Sequence, residues 1–230
     1  MRTKLTFLSA AALAAGLLTA SAQVYSVNVV GYVNTPLQNG LNLIVNPLDY
    51  GGTGVSDNVT NVMGQAMPAG TRVFIRNPAG GYDISTFTKN KAGTATNWTP
   101  IIQIDSGNGG WVQIPAGTGP VTNTFTGEVK QGSLVHTNIP ALGGYSIVGS
   151  IPPIAGYINT NLSYNGGAGD RISKWTNNGI ASGYGIYTYT KNKAGTATNW
   201  APSVPQLNVS EGAWLQSSAG QTWVQNFTVQ

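Results

Sequence analysis

Thr88-Lys89-Asn90-Lys91-Ala92-Gly93-Thr94-Ala95-Thr96-Asn97-Trp98 returns without a change as Thr190-Lys191-Asn192-Lys193-Ala194-Gly195-Thr196-Ala197-Thr198-Asn199-Trp200, 102 positions later. Eleven identical residues are too many for coincidence, so self-similarity governs how the rest of the chain is read. Working outward, Gly81-Tyr82-Asp83-Ile84-Ser85-Thr86-Phe87 answers to Gly183-Tyr184-Gly185-Ile186-Tyr187-Thr188-Tyr189. Trp111-Val112-Gln113 answers to Trp214-Leu215-Gln216, and Phe125-Thr126 to Phe227-Thr228. Arg72-Val73 answers to Arg171-Ile172, and the run Gly40 to Ile44 to the run Gly144 to Val148. The chain therefore reads as two tandem copies of a unit of about 100 residues, 23–130 and 131–230. They meet near Lys130-Gln131-Gly132.

Within a unit the apolar residues recur every second position, with β-branched and aromatic types between Gly, Pro and Asn clusters, which is a strand signal. Val24 to Val29, Leu41 to Val45, Arg72 to Arg76, Tyr82 to Thr88, Trp111 to Ile114 and Val121 to Thr126 qualify, and the second unit repeats the series. Helical spacing occurs only at Val59, Val62 and Met63, after caps at Ser56 or Asp57, and predicts about two turns. The expected fold class is all-β: two antiparallel β-sandwich or barrel-like repeats, closely packed because no Pro/Ser-rich linker separates them. Glu128 to Val135 reads as a tight hairpin between them. An outer-membrane barrel needs clean alternating segments of about ten residues; twelve prolines and the irregular stretches 46–70 and 149–170 argue against it.

Composition narrows the function classes. The 230 residues include 31 Gly, no Cys and only 8% charged side chains. That excludes a disulfide scaffold, a cysteine metal site and a charged coiled coil. Residues 1–22 read as a signal peptide: Arg2 and Lys4, an apolar run from Leu5 to Leu18, then Ala20-Ser21-Ala22 as the cleavage site. The apolar run is short for a membrane span, which needs about 20 residues. Cleavage after Ala22 leaves nine basic against seven acidic residues, too small an excess to argue for nucleic acid. The expected location is secreted: periplasm, cell surface or exterior, with no membrane span in the mature chain.

The leader followed by Val24-Tyr-Ser-Val-Asn-Val-Val-Gly-Tyr-Val-Asn34 resembles small exported proteins of verrucomicrobial bacteria, which have no established function. Gly40-Leu-Asn-Leu-Ile44, Arg72-Val-Phe-Ile75, Gly110-Trp111-Val112 and Phe125-Thr-Gly127 are similar to a tandem β-module of bacterial secreted proteins. The second unit departs from that pattern at Ser146 and Ala213. The resemblance implies export and a β fold, and it brings no catalytic residues.

Chemistry-bearing residues are few. His136 is the one histidine, aligns with Tyr32, and has no G-x-S-x-G partner, so a catalytic triad is not expected. Zinc needs several His or Cys ligands. The seven carboxylates, Asp49, Asp57, Asp83, Asp105, Glu128, Asp170 and Glu211, include no pair at equivalent positions of the two units. Gly166-Gly-Ala-Gly-Asp170 resembles part of a calcium-binding nonapeptide but occurs once. The sharpest ligand-binding candidates are the duplicated turns: Lys89, Asn90, Lys91 and Trp98, with Lys191, Asn192, Lys193 and Trp200. Paired ammonium groups beside an aromatic ring suit an anionic or sugar ligand. A solvated hairpin with both tryptophans in the core is the structural alternative. Trp111, Trp175, Trp214 and Trp223 fall on strand patterns and are expected in the core.

The sequence thus points to a non-enzymatic structural or adhesive protein whose partner is itself or an envelope polysaccharide, without cofactors. A carbohydrate-binding module on the Lys-Asn-Lys turns is the alternative, and a glycoside hydrolase the third reading. Exposed tryptophans would favour the module, buried ones with open strand edges assembly, and converging carboxylates the enzyme.

Overall fold

A computed structural model describes residues 29–77, 79–93, 95–137, 139, 144–195 and 198–229. The leader and most of the first expected strand, Val24 to Asn28, lie outside the described residues. The fold is all-β, built from antiparallel sheets, none of which closes into a barrel.

Strand β1 (Val30–Leu37) pairs with β7 (Val121–Glu128) as a two-stranded ribbon. Beneath it lies a five-stranded sheet in which β2 (Gly40–Val45), β6 (Gly109–Ile114), β3 (Arg72–Arg76), β4 (Tyr82–Lys89) and β5 (Thr96–Thr99) follow one another. The C-terminal half is built the same way. Here β8 (Gly132–Val135) pairs with β16 (Val224–Phe227). The sheet order is β9 (Tyr145–Val148), β15 (Ala213–Gln216), β11 (Arg171–Asn177), β12 (Ser182–Lys191) and β13 (Thr198–Ala201). A two-residue pair, β10 (Gly156–Tyr157) with β14 (Gln206–Leu207), lies in the second half, where the first half has the single antiparallel bridge Asn58 to Gln103. In the first half the corresponding loop carries helix α1 (Val59–Met63).

Three expectations need correction. The stretch Glu128 to Val135 is not a hairpin, because β7 pairs with β1 and β8 with β16. Each ribbon thus takes its strands from the two ends of one unit, a long-range pairing that local turn signals do not encode. Helix α1 spans five residues, shorter than the two turns expected, and its cap is Asn58, whose Oδ1 accepts from the Thr60 and Asn61 amides at 3.0 and 3.2 Å. Asp57 is committed elsewhere, accepting from the Tyr50 and Ser106 amides at 2.6 and 3.1 Å. His136 does not occupy the position of Tyr32. With Phe227 taken as the counterpart of Phe125, the registers put His136 beside Trp223, where Leu37 stands opposite Val121.

Each sheet buries one face under its own ribbon. In the first half Val73, Phe87, Trp98, Val112 and Ile114 meet Leu37, Phe125 and the α1 residues Val59, Val62 and Met63. In the second, Ile172, Trp200, Ala213 and Leu215 meet Ile158, Leu162, Tyr164 and Trp223. Each fully buried large side chain in such a layer contributes about 2 kcal/mol. The opposite faces of the two sheets meet each other through Leu43, Val45, Trp111 and Ile147, with Phe74, Trp175 and Trp214 packed against them. Backbone bonds cross this seam: the Val45 amide donates to Ser210 O at 2.9 Å and the Gly212 amide to Leu43 O at 3.1 Å. Gly109 permits the approach, since a Cβ there would lie 2.4 Å from Ile44 O and 2.8 Å from Ile147 Cγ2. The layers therefore run ribbon, sheet, sheet, ribbon.

Candidate functional site

The duplicated segments form the hairpins β4–β5 and β12–β13, with Phe87 opposite Trp98 and Tyr189 opposite Trp200. In both, the X-Pro bond that follows is cis, at Thr99-Pro100 and Ala201-Pro202. The first turn is shaped by Asn90, whose backbone N–H donates to Ala95 O at 2.9 Å while its Oδ1 accepts from the Ala95 amide at 3.3 Å. Gly93 and Gly195, at φ 69° and 68°, donate to Asn90 O and Asn192 O, both at 2.9 Å. Lys89, Lys91, Lys191 and Lys193 are exposed around these turns.

Trp98 and Trp200 point the other way. They expose 2% and 4% of their surface and belong to the two cores. Trp98 packs 5.0 Å from Phe87 and donates its Nε1–H to Gly64 O at 2.8 Å. Trp200 packs 5.1 Å from Tyr189 with no partner for its indole N–H among the described residues. The pairing of cationic turn with stacking ring is therefore corrected: Trp98 and Trp200 lie where the hairpins pass under the cores and are covered there, while the lysines lie beyond them at the exposed turn ends.

His136 is buried, stacks 4.1 Å from Trp223, and bonds through Nε2 to Gln225 Oε1 at 3.2 Å. That Oε1 also accepts from the Ile151 amide at 2.9 Å, so Nε2 donates to it. Burial lowers its pKa to about 4, against the smaller upward pull of Gln225. Four of the seven carboxylates are engaged by neighbouring groups of the fold. Asp170 accepts from Tyr164 Oη, the Gly167 amide and the Ser218 amide at 2.6–2.7 Å. Asp49 faces Lys130 at 3.5 Å, and Glu211 faces Lys174 at 3.0 Å. Burial raises the Asp57 pKa, and the nearby Asp49 adds to this against the amides of Tyr50 and Ser106. Among the described residues no group of three or more His, Cys, Asp or Glu could hold a metal, and no helix is long and apolar enough to cross a membrane.

One concave feature of the fold lies in the seam. A cleft of about 430 Å³ opens between the two sheets, lined by Arg76 and Tyr82 on one side and Tyr145, Ser173, Tyr184 and Trp214 on the other. Tyr82, Tyr145 and Tyr184 are 40%, 41% and 49% exposed. Arg76 donates to Tyr145 O and stands 5.7 Å over the Trp214 ring. Partial burial raises the Tyr184 pKa, offset by a hydrogen bond with Trp214. No carboxylate lines this cleft. Sequence reading missed it because the lining comes from both units. One signal was present: Val73-Phe74-Ile75 is a continuous apolar run, the mark of a strand covered on both faces. Trp175 and Trp214, expected in a core, sit half-buried along this seam.

No family model, curated protein or solved structure matches this chain.

Proposed function

We propose that the protein is an exported, non-enzymatic structural or adhesive component of the periplasm, cell surface or exterior, built from two tandem β units after cleavage near Ala22. The observation that carries this reading is the placement of the duplicated hairpins. Their tryptophans are buried, while β5 and β13 end their sheets with one side of the backbone ladder unpaired by any strand of the described residues. An open edge is a template for pairing with another chain. Neither four-residue edge contains a charged side chain, and each carries Asn and Thr around its one Trp. The structural use of Asp49, Asp57, Asp170 and Glu211 supports a non-enzymatic role. The partners are a second copy of this chain or an envelope polysaccharide.

Sedimentation of the purified protein over a concentration series tests the assembly arm. Concentration-dependent oligomers that disappear in Asn97→Lys/Asn199→Lys are expected, because charge on an edge blocks pairing. A protein monomeric throughout, and not retained on envelope preparations, would sink this reading.

A further inference from the structure

The open end of the seam is a site that neither the cores nor the hairpins explain. Phe74 stands opposite Ile84 and Trp111; at the matching register of the second sheet Ser173 stands opposite Ile186 and Trp214. The exchange of a phenyl ring for a hydroxymethyl removes the bulk that would otherwise fill the space beside Trp214. What remains is a cleft lined by aromatic side chains and Ile186, whose polar groups are the Ser173 hydroxyl, phenol hydroxyls, one indole and the Arg76 guanidinium.

We propose that this cleft binds a carbohydrate chain bearing carboxylates, a glycan of the uronic-acid class. Pyranose rings present an apolar C–H face that packs on aromatic rings and a rim of hydroxyls that meets phenol and serine hydroxyls. The cation selects the acidic sugar. Arg76 has no ion pair with a carboxylate among the described residues, and its donor to Tyr145 O together with the Trp214 face holds the guanidinium in place. A guanidinium has five N–H donors, so a planar fork remains for a carboxylate. A peptide is the poorer occupant. Strands β3, β4, β11, β12 and β15 are paired on both sides, and among the lining residues only Tyr145 comes from an end strand, β9, so the walls offer mainly side chains rather than backbone for strand addition. The site is independent of β5 and β13 and goes beyond the assembly reading.

Titration of the full chain with tetragalacturonate and with an alginate oligomer, followed by tryptophan fluorescence, tests the proposal, with cellotetraose as the neutral comparator. Saturable binding of at least one uronate is expected, weakened at least tenfold by Ser173→Phe, which gives the second sheet the residue of the first. Arg76→Gln is expected to weaken uronate binding about tenfold or more, as loss of a charge-assisted bond does, while leaving cellotetraose unchanged. Should Ser173→Phe lower the melting temperature, the Arg76→Gln comparison decides alone. No saturable uronate binding, or equal affinity for cellotetraose that ignores Arg76→Gln, would overturn the proposal. So would binding that survives Arg76→Gln but is lost when Lys89, Lys91, Lys191 and Lys193 become Ala, since that places the glycan on the hairpins.

Discussion

The two ends of the seam are built on one plan with different side chains. At the closed end Trp175 reaches from the second sheet, donates its Nε1–H to Leu41 O at 2.8 Å, and packs 5.3 Å from Trp111. At the open end Arg76, which holds the corresponding register position in the first sheet, donates to Tyr145 O and lies over Trp214. Leu41 matches Tyr145, and Trp111 matches Trp214, so each contact is the approximate twofold mate of the other. An indole closes its end as packing. A guanidinium beside Ser173 leaves its end open and charged. The two halves therefore form an approximately twofold frame, and different side chains at two matching positions leave one of its equivalent ends open as a cleft.

The comparison extends to the cores, where the largest effects are expected. Trp98→Ala and Trp200→Ala should each cost about 3–5 kcal/mol, the range for deleting a buried Trp, read from denaturant midpoints. If either change leaves stability untouched, the hairpin tryptophans are not packed as described. The ribbons differ in that His136 occupies the place of Leu37. Its folded pKa of about 4 lies below the ordinary 6.5, so between these values the unfolded chain binds the proton and the folded chain does not. The stability tied to this ring is present above pH 6.5 and lost as the pH falls toward 4, about 3 kcal/mol in all. His136→Leu should flatten that acid limb, although Asp57, raised in the fold, contributes with the opposite sign. An acid limb unchanged in His136→Leu would break the assignment.

Smaller effects sharpen the contrast. Trp98→Phe removes the donor to Gly64 O and should cost about 1–2 kcal/mol more than Trp200→Phe, whose indole N–H has no described partner to lose. Equal costs would mean that the two identical segments sit in equivalent surroundings. Smallest of all, replacing Lys89, Lys91, Lys191 and Lys193 singly by Ala should move stability by no more than about 0.5 kcal/mol, as for exposed side chains. A larger loss in thermal melts would show the turns to be structural elements in their own right.

Several strands could be read from residues alone. Leu41 to Val45, Arg72 to Arg76 and Tyr82 to Thr88 are rich in apolar β-branched or aromatic residues between turn residues, which places β2, β3 and β4 within a residue or two. Strand β1 was not so legible: Val30, Tyr32 and Val33 mix exposed with half-buried apolar positions, because the ribbon covers only part of one sheet. The seam cleft was not legible in the sequence. Identity between 88–98 and 190–200 drew attention to the turns, whereas the cleft is lined by residues as far apart as Arg76 and Trp214.

Local residue pattern was enough for the all-β class and for β2, β3, β4, β6 and β7 to within a residue or two, because side-chain period and turn chemistry are local. The tertiary structure alone decided that each ribbon pairs the ends of its own unit, that Trp98 and Trp200 face inward, and that the sheets meet back to back. Those outcomes depend on which apolar face finds which partner across the chain. A face such as Trp111 with Trp175, or Arg76 with Trp214, is defined only once both sheets exist.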